Sequence, residues 1–353
     1  MQLLERAAEF EREGKRVVHL EVGEPDFPTA DRIVAAGHRA LTEGRTKYTQ
    51  ALGIPELREA ISSYYGAFGV AVDPSRDVVT SGASGGLTLL AALLLNAGDE
   101  MLITDPGYPC NEVFAHLVGA RPRTVNVYAE NRFQPCAEDV VAAWTADTRA
   151  VLLASPANPT GTMLARQDIT DVAAVVAERD GFFLIDEIYQ GLTRADSEYP
   201  TALSLCDDLY VLNSFSKYFG MTGWRLGWLV VPEAAVSGLT KLAQNLVISP
   251  SAIAQHAAVS AFDDEVLAMY RERAAVFQAR AEFLASGLAE LGFSIPVLPD
   301  GAFYLYVDVS HTGMTSHDFC WRLIEEYQVA TTPGEDFGSN QHERYVRFAY
   351  TTD

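Results

Sequence analysis

Residues 209–225 read LYVLNSFSKYFGMTGWR, and this stretch indicates both a fold class and a site. It opens with an apolar run of strand length and passes directly into the polar segment 214–217, with Arg225 eight residues after its last residue. Comparable apolar runs at 150–154 and 182–185 alternate with segments of helical periodicity. Buried strands separated by helices are typical of parallel sheets. The sequence therefore predicts an α/β domain with a mostly parallel central sheet flanked by helices.

Polar residues follow three of these predicted strands. Asn158 lies just beyond the first, Asp186 ends the second, and Lys217 lies just beyond the third. In open α/β sheets, ligands bind beyond the carboxyl ends of the strands. We therefore expect these residues to share one site.

Lys217 has the sequence surroundings of a cofactor-binding lysine. A lysine amine forms a Schiff base only after losing a proton, and burial beside other cations promotes that loss. The hydroxyls of Ser214 and Ser216 and the guanidinium of Arg225 are groups that bind phosphate. A lysine beside a phosphate site indicates pyridoxal phosphate, which binds to lysine and carries a phosphate. For an isolated S-x-S-K motif, a solvated loop lysine would be the better interpretation.

Three further features each have a functional interpretation and a plain structural one. Asp186 can pair with a pyridine nitrogen, with Tyr189 near the ring's phenolic oxygen, or it can simply cap a helix. The segment 81–86, SGASGG, is interpreted as a phosphate-binding turn before a helix, or as small residues that allow close helix–strand packing. Asn158, in Asn-Pro-Thr-Gly, belongs either to the site or to an ordinary turn.

Tyr108 and Arg347 are two further candidates for ligand binding, and each also has a purely structural interpretation. Tyr108 lies between two turn prolines, where it can stack on a planar ring or pack in a loop. Arg347 alternates with apolar neighbours on a predicted strand, which suits a bidentate contact with a carboxylate. Its alternative is a surface salt bridge.

Composition limits the function classes. The chain has 353 residues, of which 48% are hydrophobic, and a formal charge of −21, which disfavours nucleic acid and anionic membranes as partners. No metal-binding spacing is present, and no apolar run reaches the roughly 20 residues of a membrane helix. The charged N-terminus lacks a signal peptide's apolar region. Scattered cysteines predict reduced thiols and a cytoplasmic location; they are Cys110, Cys136, Cys206 and Cys320.

Together these segments resemble the class I/II aminotransferases of the fold-type I pyridoxal-phosphate family, which includes aspartate aminotransferase. The resemblance covers nearly the whole chain, and its matching segments stand in the family's order. These segments are Gly23–Phe27, Tyr48–Gly53 with Leu57–Arg58, 81–86, Asn158–Gly161, Asp186–Tyr189, Ser214–Arg225 and Arg347.

The resemblance implies a role for each matching residue. Lys217 would hold the cofactor and move a proton between the substrate Cα and the cofactor C4′, with Asp186 and Tyr189 as further catalytic residues. Arg347, Gly23 and Asn158 would bind the substrate. Arg347 would bind its α-carboxylate, with the Gly23 backbone nearby. The implied cofactor-binding residues are Tyr48, Gly82, Ala83, Ser84, Tyr108, Asn158, Asp186, Tyr189, Ser214, Ser216, Lys217 and Arg225.

The resemblance also implies a domain division and an assembly. A large cofactor-binding domain would span 37–268, and a smaller α+β domain would combine 1–36 with 269–353, with a long helix at about 265–291 as the hinge. Tyr48 would reach the cofactor phosphate of a neighbouring subunit, so a homodimer is expected. Family members usually carry an arm before the segment that corresponds to Met1–Arg6 and a closing helix after the arginine strand; this sequence departs from that pattern at both places, and we expect the departure to affect dimer strength and small-domain stability.

Alternatives remain open at this point. A lyase that eliminates a β- or γ-substituent would use the same cofactor and the same Asp186 and Arg347 features. A non-catalytic cofactor sensor is disfavoured because such modules follow a basic DNA-binding domain. An α/β protein whose motifs are only turns and caps would need several coincidences in family order. Ser84 stands where some acidic-substrate relatives have a carboxylate-binding lysine, so a dicarboxylate preference is not supported there.

Overall fold

The structure is a computed structural model that describes residues 2–194 and 199–352. Its helices are α1 (Gln2–Arg12), α2 (Asp31–Thr42), α3 (Pro55–Gly66), α4 (Gly82–Leu94), α5 (Asn111–Leu117), α6 (Ala137–Ala143), α7 (Arg166–Ala177), α8 (Glu233–Leu246), α9 (Ala252–Val259), α10 (Asp264–Glu290) and α11 (Ser316–Tyr327). Its strands are β1 (Val18–His19), β2 (Asp77–Thr80), β3 (Glu100–Asp105), β4 (Arg121–Asn126), β5 (Thr148–Ala154), β6 (Phe182–Asp186), β7 (Tyr210–Ser214), β8 (Gly227–Val230), β9 (Tyr304–Asp308), β10 (Val329–Ala330), β11 (Thr332–Pro333) and β12 (Tyr345–Ala349). Among the described residues, no helix combines the length and apolarity required to cross a bilayer.

Seven strands form the central sheet, in the order β2-β8-β7-β6-β5-β3-β4. The five strands β7, β6, β5, β3 and β4 run parallel to one another. Strand β8 runs antiparallel to both β2 and β7. The prediction of a mostly parallel sheet is confirmed. The apolar composition of β8 does not distinguish it from the parallel strands, so its direction did not follow from the sequence.

Helices cover both faces of this sheet. Val151 and Ile185 enter one apolar cluster together with side chains of α7. Leu152 and Leu184 enter a second cluster together with side chains of α4 and α8. Because alternate residues of a strand point to opposite faces, burial of both faces requires the continuous apolar runs seen in the sequence.

A second, smaller sheet is formed by the C-terminal part of the chain. Its three strands are antiparallel, in the order β11-β12-β9. Beside it, β1 pairs in parallel with β10, which brings the N-terminal segment against the C-terminal one. The 27-residue helix α10 precedes this sheet in the chain and agrees closely with the long helix predicted at 265–291.

The prediction of a turn over residues 81–86 is wrong. Helix α4 begins at Gly82, so these small residues form its first turns. Glycine has a low helix propensity, but this helix lies very close to the sheet. A Cβ on Gly86 would lie 2.7 Å from Leu212 Cδ1. Close packing against the sheet therefore accounts for the small residues, and their helical N-terminus still faces the strand ends.

Candidate active site

Most of the predicted site residues meet in one cavity of about 260 Å³ at the carboxyl ends of the central strands. The cavity is closed on its other side by residues of the smaller sheet and of the segment before α2. The predicted residues that line it are Gly23, Ala83, Ser84, Tyr108, Asn158, Asp186, Tyr189, Ser216, Lys217, Arg225 and Arg347. Gly82, Ser214 and Tyr48 do not line it.

Lys217 follows β7 and extends into this cavity. Its Nζ donates a hydrogen bond to the Gly23 backbone oxygen at 2.7 Å. Burial lowers the pKa of Lys217 to about 8; the cations Arg347 and Arg225 act in the same direction, and Glu24 opposes them. The amine therefore loses its proton far more readily than an exposed lysine.

Asp186 ends β6 and lies in the same cavity wall. Its Oδ1 accepts a hydrogen bond from the backbone N–H of Ile188 at 3.0 Å, but residues 188–190 form a turn and not a helix, so the helix-capping alternative is wrong. Burial raises the pKa of Asp186 to about 6, while the N–H bond and Lys217 act in the opposite direction. A cationic or proton-donating group inside the cavity would therefore stabilise the charged form of this buried carboxylate.

An anion-binding corner lies at the N-terminus of α4. Gly82 has a φ of +72°, and a Cβ on it would lie 2.8 Å from Arg225 Nη2, so the guanidinium lies directly against the helix end. Ser216 lines the cavity nearby, and its backbone N–H donates to Ser214 Oγ at 3.0 Å. Ser214 therefore does not line the cavity itself but holds Ser216 in place through this hydrogen bond. Helix N–H groups, a hydroxyl and a guanidinium together suit a phosphate.

Arg347 extends from β12 across to the central sheet. Its Nη1 donates to Asn158 Oδ1 at 2.9 Å, and its guanidinium lies 4.4 Å from the centre of the Tyr304 ring. The residue is 7% exposed, so the alternative of a surface salt bridge is wrong. Its buried Nε has no hydrogen-bond partner in the described part of the chain. An unmet buried donor of this kind favours an acceptor supplied by a ligand.

The sequence interpretation missed Tyr304 and Thr222, which also line the cavity. The hydroxyl of Tyr304 lies 2.8 Å from that of Tyr189, so the two form a hydrogen bond. Tyr304 was not singled out from the sequence, where it opens an apolar run of strand length, 304–307. The preceding Asp300-Gly301 turn signal, followed by two aromatic residues, was the one indication that this strand begins at a special position.

Tyr48 lies outside the cavity and is 81% exposed. The chain itself therefore does not bring this residue to its own cavity. Such exposure is unusual for a tyrosine ring and agrees with a contact to another molecule.

The three features of the cavity fit pyridoxal phosphate. A buried amine with a lowered pKa matches the cofactor's aldehyde, a buried carboxylate matches its ring nitrogen, and the corner at α4 matches its phosphate.

Comparisons with known proteins agree with this fit. A family model described as "Aminotransferase class I and II" matches residues 15–353. The valine–pyruvate aminotransferase of Mycobacterium tuberculosis is 36% identical over 98% of this chain and 89% of that protein. The aspartate aminotransferase of Pyrococcus horikoshii is 34% identical over 99% of this chain and 89% of that protein.

Solved structures show the same architecture. An aminotransferase from Mycobacterium tuberculosis superposes with a TM-score of 0.95 at 36% identity, covering 100% of this chain and 91% of that one. Aspartate aminotransferase from Thermus thermophilus with maleate gives 0.93 at 32% identity, covering 100% and 92%. The expected fold-type I architecture is confirmed, and these relatives lend no support to the lyase alternative. The chain therefore belongs to the class I and II aminotransferases and is a pyridoxal-phosphate-dependent transaminase.

Proposed function

We propose that the chain moves an amino group from an L-amino acid to a 2-oxo acid in two half-reactions, with Lys217 as the acid and base. One observation carries this assignment. The Lys217 amine, with its pKa lowered to about 8, shares a cavity with Asp186, Arg347 and the anion-binding corner at α4. A proton-transfer group works best when its pKa lies near the working pH.

When bound, pyridoxal phosphate supplies an aldehyde carbon and a ring that withdraws electrons from the substrate Cα. In our proposal the N-terminus of α4, residues 82–84, binds the phosphate together with Ser216 and Arg225, and Ser214 orients Ser216. Asp186 keeps a proton on the ring nitrogen, which favours withdrawal of electrons. The remaining contacts to the ring come from Tyr108, Asn158 and Tyr189.

The substrate side of the cavity orients the amino acid. Arg347 and the backbone at Gly23 bind the α-carboxylate, and the unpartnered Nε of Arg347 is available as an additional donor. With the carboxylate held there, the Lys217 amine would be positioned to take the proton from the substrate Cα and to deliver it to C4′ of the bound cofactor. Its hydrogen bond to Gly23 O keeps the amine at the substrate end of the cavity.

We further propose that the donor is an amino acid with an apolar side chain. A second cavity of about 720 Å³ lies beyond Arg347, where a substrate side chain would extend. Val22, Trp321 and Phe337 form apolar parts of its wall. Among the described residues that line it, Arg347 is the one lysine or arginine, and Glu335 and Asp336 add negative charge. A second carboxylate would therefore be repelled, whereas the named relatives include enzymes for valine and for aspartate.

The donor assignment is tested by the half-reaction rates with valine and with aspartate. We expect valine to react at least about tenfold faster than aspartate at equal concentration, because the lining of this cavity offers no second lysine or arginine to bind the aspartate side chain. Asp336→Lys should lower the ratio of the valine rate to the aspartate rate, because it places a cation in the wall of this cavity. The control Glu343→Lys makes the same change of charge on an exposed residue that does not line the cavity. Faster reaction with aspartate in the unmodified protein would contradict the assignment.

We propose a homodimer in which Tyr48 reaches the cofactor phosphate of the neighbouring subunit. The exposed ring of Tyr48 and the family resemblance support this assembly. Light scattering should give twice the chain mass, and Tyr48→Phe should weaken cofactor binding. A monomer that binds the cofactor equally well with and without the Tyr48 hydroxyl would contradict the proposal.

A division into two domains and a cytoplasmic location also remain proposals. The pairing of β1 with β10 supports the assignment of the N-terminal residues to the smaller domain, and the proposed boundaries at 37 and 269 fall inside α2 and α10. Four free cysteines support a reducing compartment.

A further inference from the structure

Asp105 joins the two sheets at the edge of the active site. It is the last residue of β3 in the central sheet and is 3% exposed. Its Oδ2 accepts hydrogen bonds from the backbone N–H and the hydroxyl of Ser339, at 2.9 and 3.0 Å. Its Oδ1 accepts from the backbone N–H of Asn340 at 3.1 Å. The carboxylate is thus bound by a loop, Gly338–Asn340, that precedes β12 of the smaller sheet.

Further bonds join residues 105–107 to this loop and to Phe337 before it, and one bond joins the loop to Val127, which follows β4. The Asn340 side-chain amide donates to the Asp105 backbone oxygen at 3.2 Å and to that of Val127 at 3.0 Å. The backbone N–H of Gly107 donates to the Phe337 oxygen at 2.8 Å. We call this set of contacts between residues 105–107 and 337–340 the Asp105 clasp.

The clasp is sterically specific. Gly338 has a φ of +144°, and a Cβ on it would lie 1.9 Å from Asp105 Oδ1. No side chain fits between the loop backbone and the carboxylate, so glycine is required here for space as well as for conformation. Burial of a carboxylate is costly unless it is hydrogen-bonded, and the clasp meets that requirement with backbone and side-chain donors.

Both ends of the clasp continue into the active site. On one side, Tyr108 follows Gly107 and lines the cofactor cavity. On the other side, Phe337 precedes Gly338, lines the cavity beyond Arg347, and has its ring centre 4.8 Å from the Arg347 guanidinium carbon. The clasp therefore determines how Phe337, and through it Arg347, is placed relative to Tyr108.

We propose that Asp105 is a positioning residue for substrate binding, holding Phe337 against Arg347 through the Gly338–Asn340 loop. This inference rests on the proposed role of Arg347 as the carboxylate-binding residue. Asp105 lines neither the cofactor cavity nor the cavity beyond Arg347, so its loss should leave Lys217 and the proton transfer in place. Its effect should appear in substrate affinity.

Asp105→Asn tests the proposal. The Asn side chain has one acceptor oxygen, and its NH₂ group would face donors of the loop, so the clasp should open. We expect KM for the amino donor and for the oxo acid to rise about tenfold, with kcat within about threefold of the unmodified enzyme. The near-visible absorbance of the cofactor-loaded enzyme should not change, because Lys217 is not affected.

Asp308→Asn is the matched control. Asp308 is also a buried carboxylate of this fold, with bonds from Ser310 N–H at 2.9 Å and Arg344 Nε at 2.7 Å, and it lines neither cavity. The substitution Asp308→Asn should lower the melting temperature without changing KM. If Asp105→Asn also lowers only the melting temperature, the clasp is merely structural and the proposal is overturned.

Gly338→Ala approaches the clasp from its other partner and decides the matter if Asp105→Asn does not fold. It should raise KM in the same way, while Gly313→Ala, with a φ of +72° and open space around it, should not. An unchanged KM in Gly338→Ala would overturn the proposal. If the unmodified enzyme transaminates and Arg347→Lys leaves KM unchanged, the role of Arg347 fails instead, and that result is read independently of Asp105.

Discussion

The cofactor side and the substrate side of the active site are built in different ways. Asn158 and Lys217 follow β5 and β7, and Asp186 ends β6, which lies between those two strands and pairs in parallel with both. Strand pairing alone brings their chain segments together. Arg347 and Tyr304 come from the second sheet, and Gly23 comes from the segment before α2. Their positions depend on contacts between separate parts of the fold, such as the bond from Arg347 to Asn158.

This difference corresponds to a division of labour. The cofactor side holds the groups that transfer or stabilise charge during the reaction. The substrate side holds groups that bind a carboxylate before and during the reaction. We therefore expect changes on the cofactor side to lower kcat and changes on the substrate side to raise KM.

Lys217→Ala should give the largest effect. Removal of the acid–base group should lower kcat by about a thousandfold or more and abolish the near-visible absorbance of bound pyridoxal phosphate. Turnover and absorbance are measured on the same preparation. The control Lys241→Ala removes an exposed lysine of α8 and should change neither. Full transamination by Lys217→Ala would break the comparison at its most important residue.

Two adjacent carboxylates provide the second test. Asp186 lines the cavity, whereas Glu187 does not line it and accepts hydrogen bonds from the Ala202 N–H at 2.6 Å and the Thr201 hydroxyl at 2.8 Å. Asp186→Asn should lower kcat about a hundredfold, because an amide cannot keep the ring nitrogen protonated. Glu187→Gln can keep both contacts, with its oxygen accepting from the Ala202 N–H and its NH₂ group donating to the Thr201 hydroxyl oxygen, and it should change kcat less than about threefold. Equal losses from the two substitutions would show that buried charge, rather than contact with the cofactor, governs the rate.

Arg347→Lys tests the substrate side. Lysine cannot reproduce a bidentate contact with a carboxylate, so KM should rise roughly ten- to a hundredfold while kcat falls much less. Steady-state kinetics with one donor and one acceptor give both parameters. Arg344→Lys, three residues away and paired with Asp308, is the control and should leave KM unchanged. A fall in kcat with constant KM would contradict the assignment of Arg347 to the substrate side of the active site.

The pH dependence of cofactor capture tests the lowered pKa of Lys217 directly. Only the neutral amine attacks the aldehyde, so capture by the apoprotein should rise about tenfold from about pH 7 to 9 and level off above the pKa of about 8. Stopped-flow absorbance measures this rate. Because the folded-state pKa lies below that of unfolded lysine, this group disfavours the folded apoprotein below pH 8. The penalty disappears as pH rises toward 10.5. A capture rate still rising steeply above pH 9 would contradict the burial of this amine.

The same difference explains which parts of the molecule were predictable from sequence. Strands β5 to β7 were recognised because both faces are buried, which leaves continuous apolar runs, and their polar ends marked the cofactor side. Strand β4, RPRTVN, was missed because it is an edge strand that pairs on one side only, tolerates Pro122 and has largely exposed side chains.

The substrate side depended more on tertiary contacts. Arg347 was identified as a candidate, but its burial between the two sheets was not deducible from an alternating strand pattern. Tyr304 and the Asp105 clasp were not recognised, since each depends on partners more than a hundred residues away in the sequence. The helix start at Gly82 was displaced in the prediction because glycine normally opposes helix formation, and here tertiary packing outweighs that preference.

The most direct test of the account is the near-visible spectrum of the cofactor-loaded protein during addition of a single amino acid, without any oxo-acid acceptor. We predict that the absorbance of the lysine-bound cofactor converts to that of its amine form, and that about one 2-oxo acid is released per active site. Persistence of the original absorbance while pyruvate and ammonia accumulate would identify a lyase. Absence of the original absorbance before any amino acid is added would contradict the role assigned to Lys217.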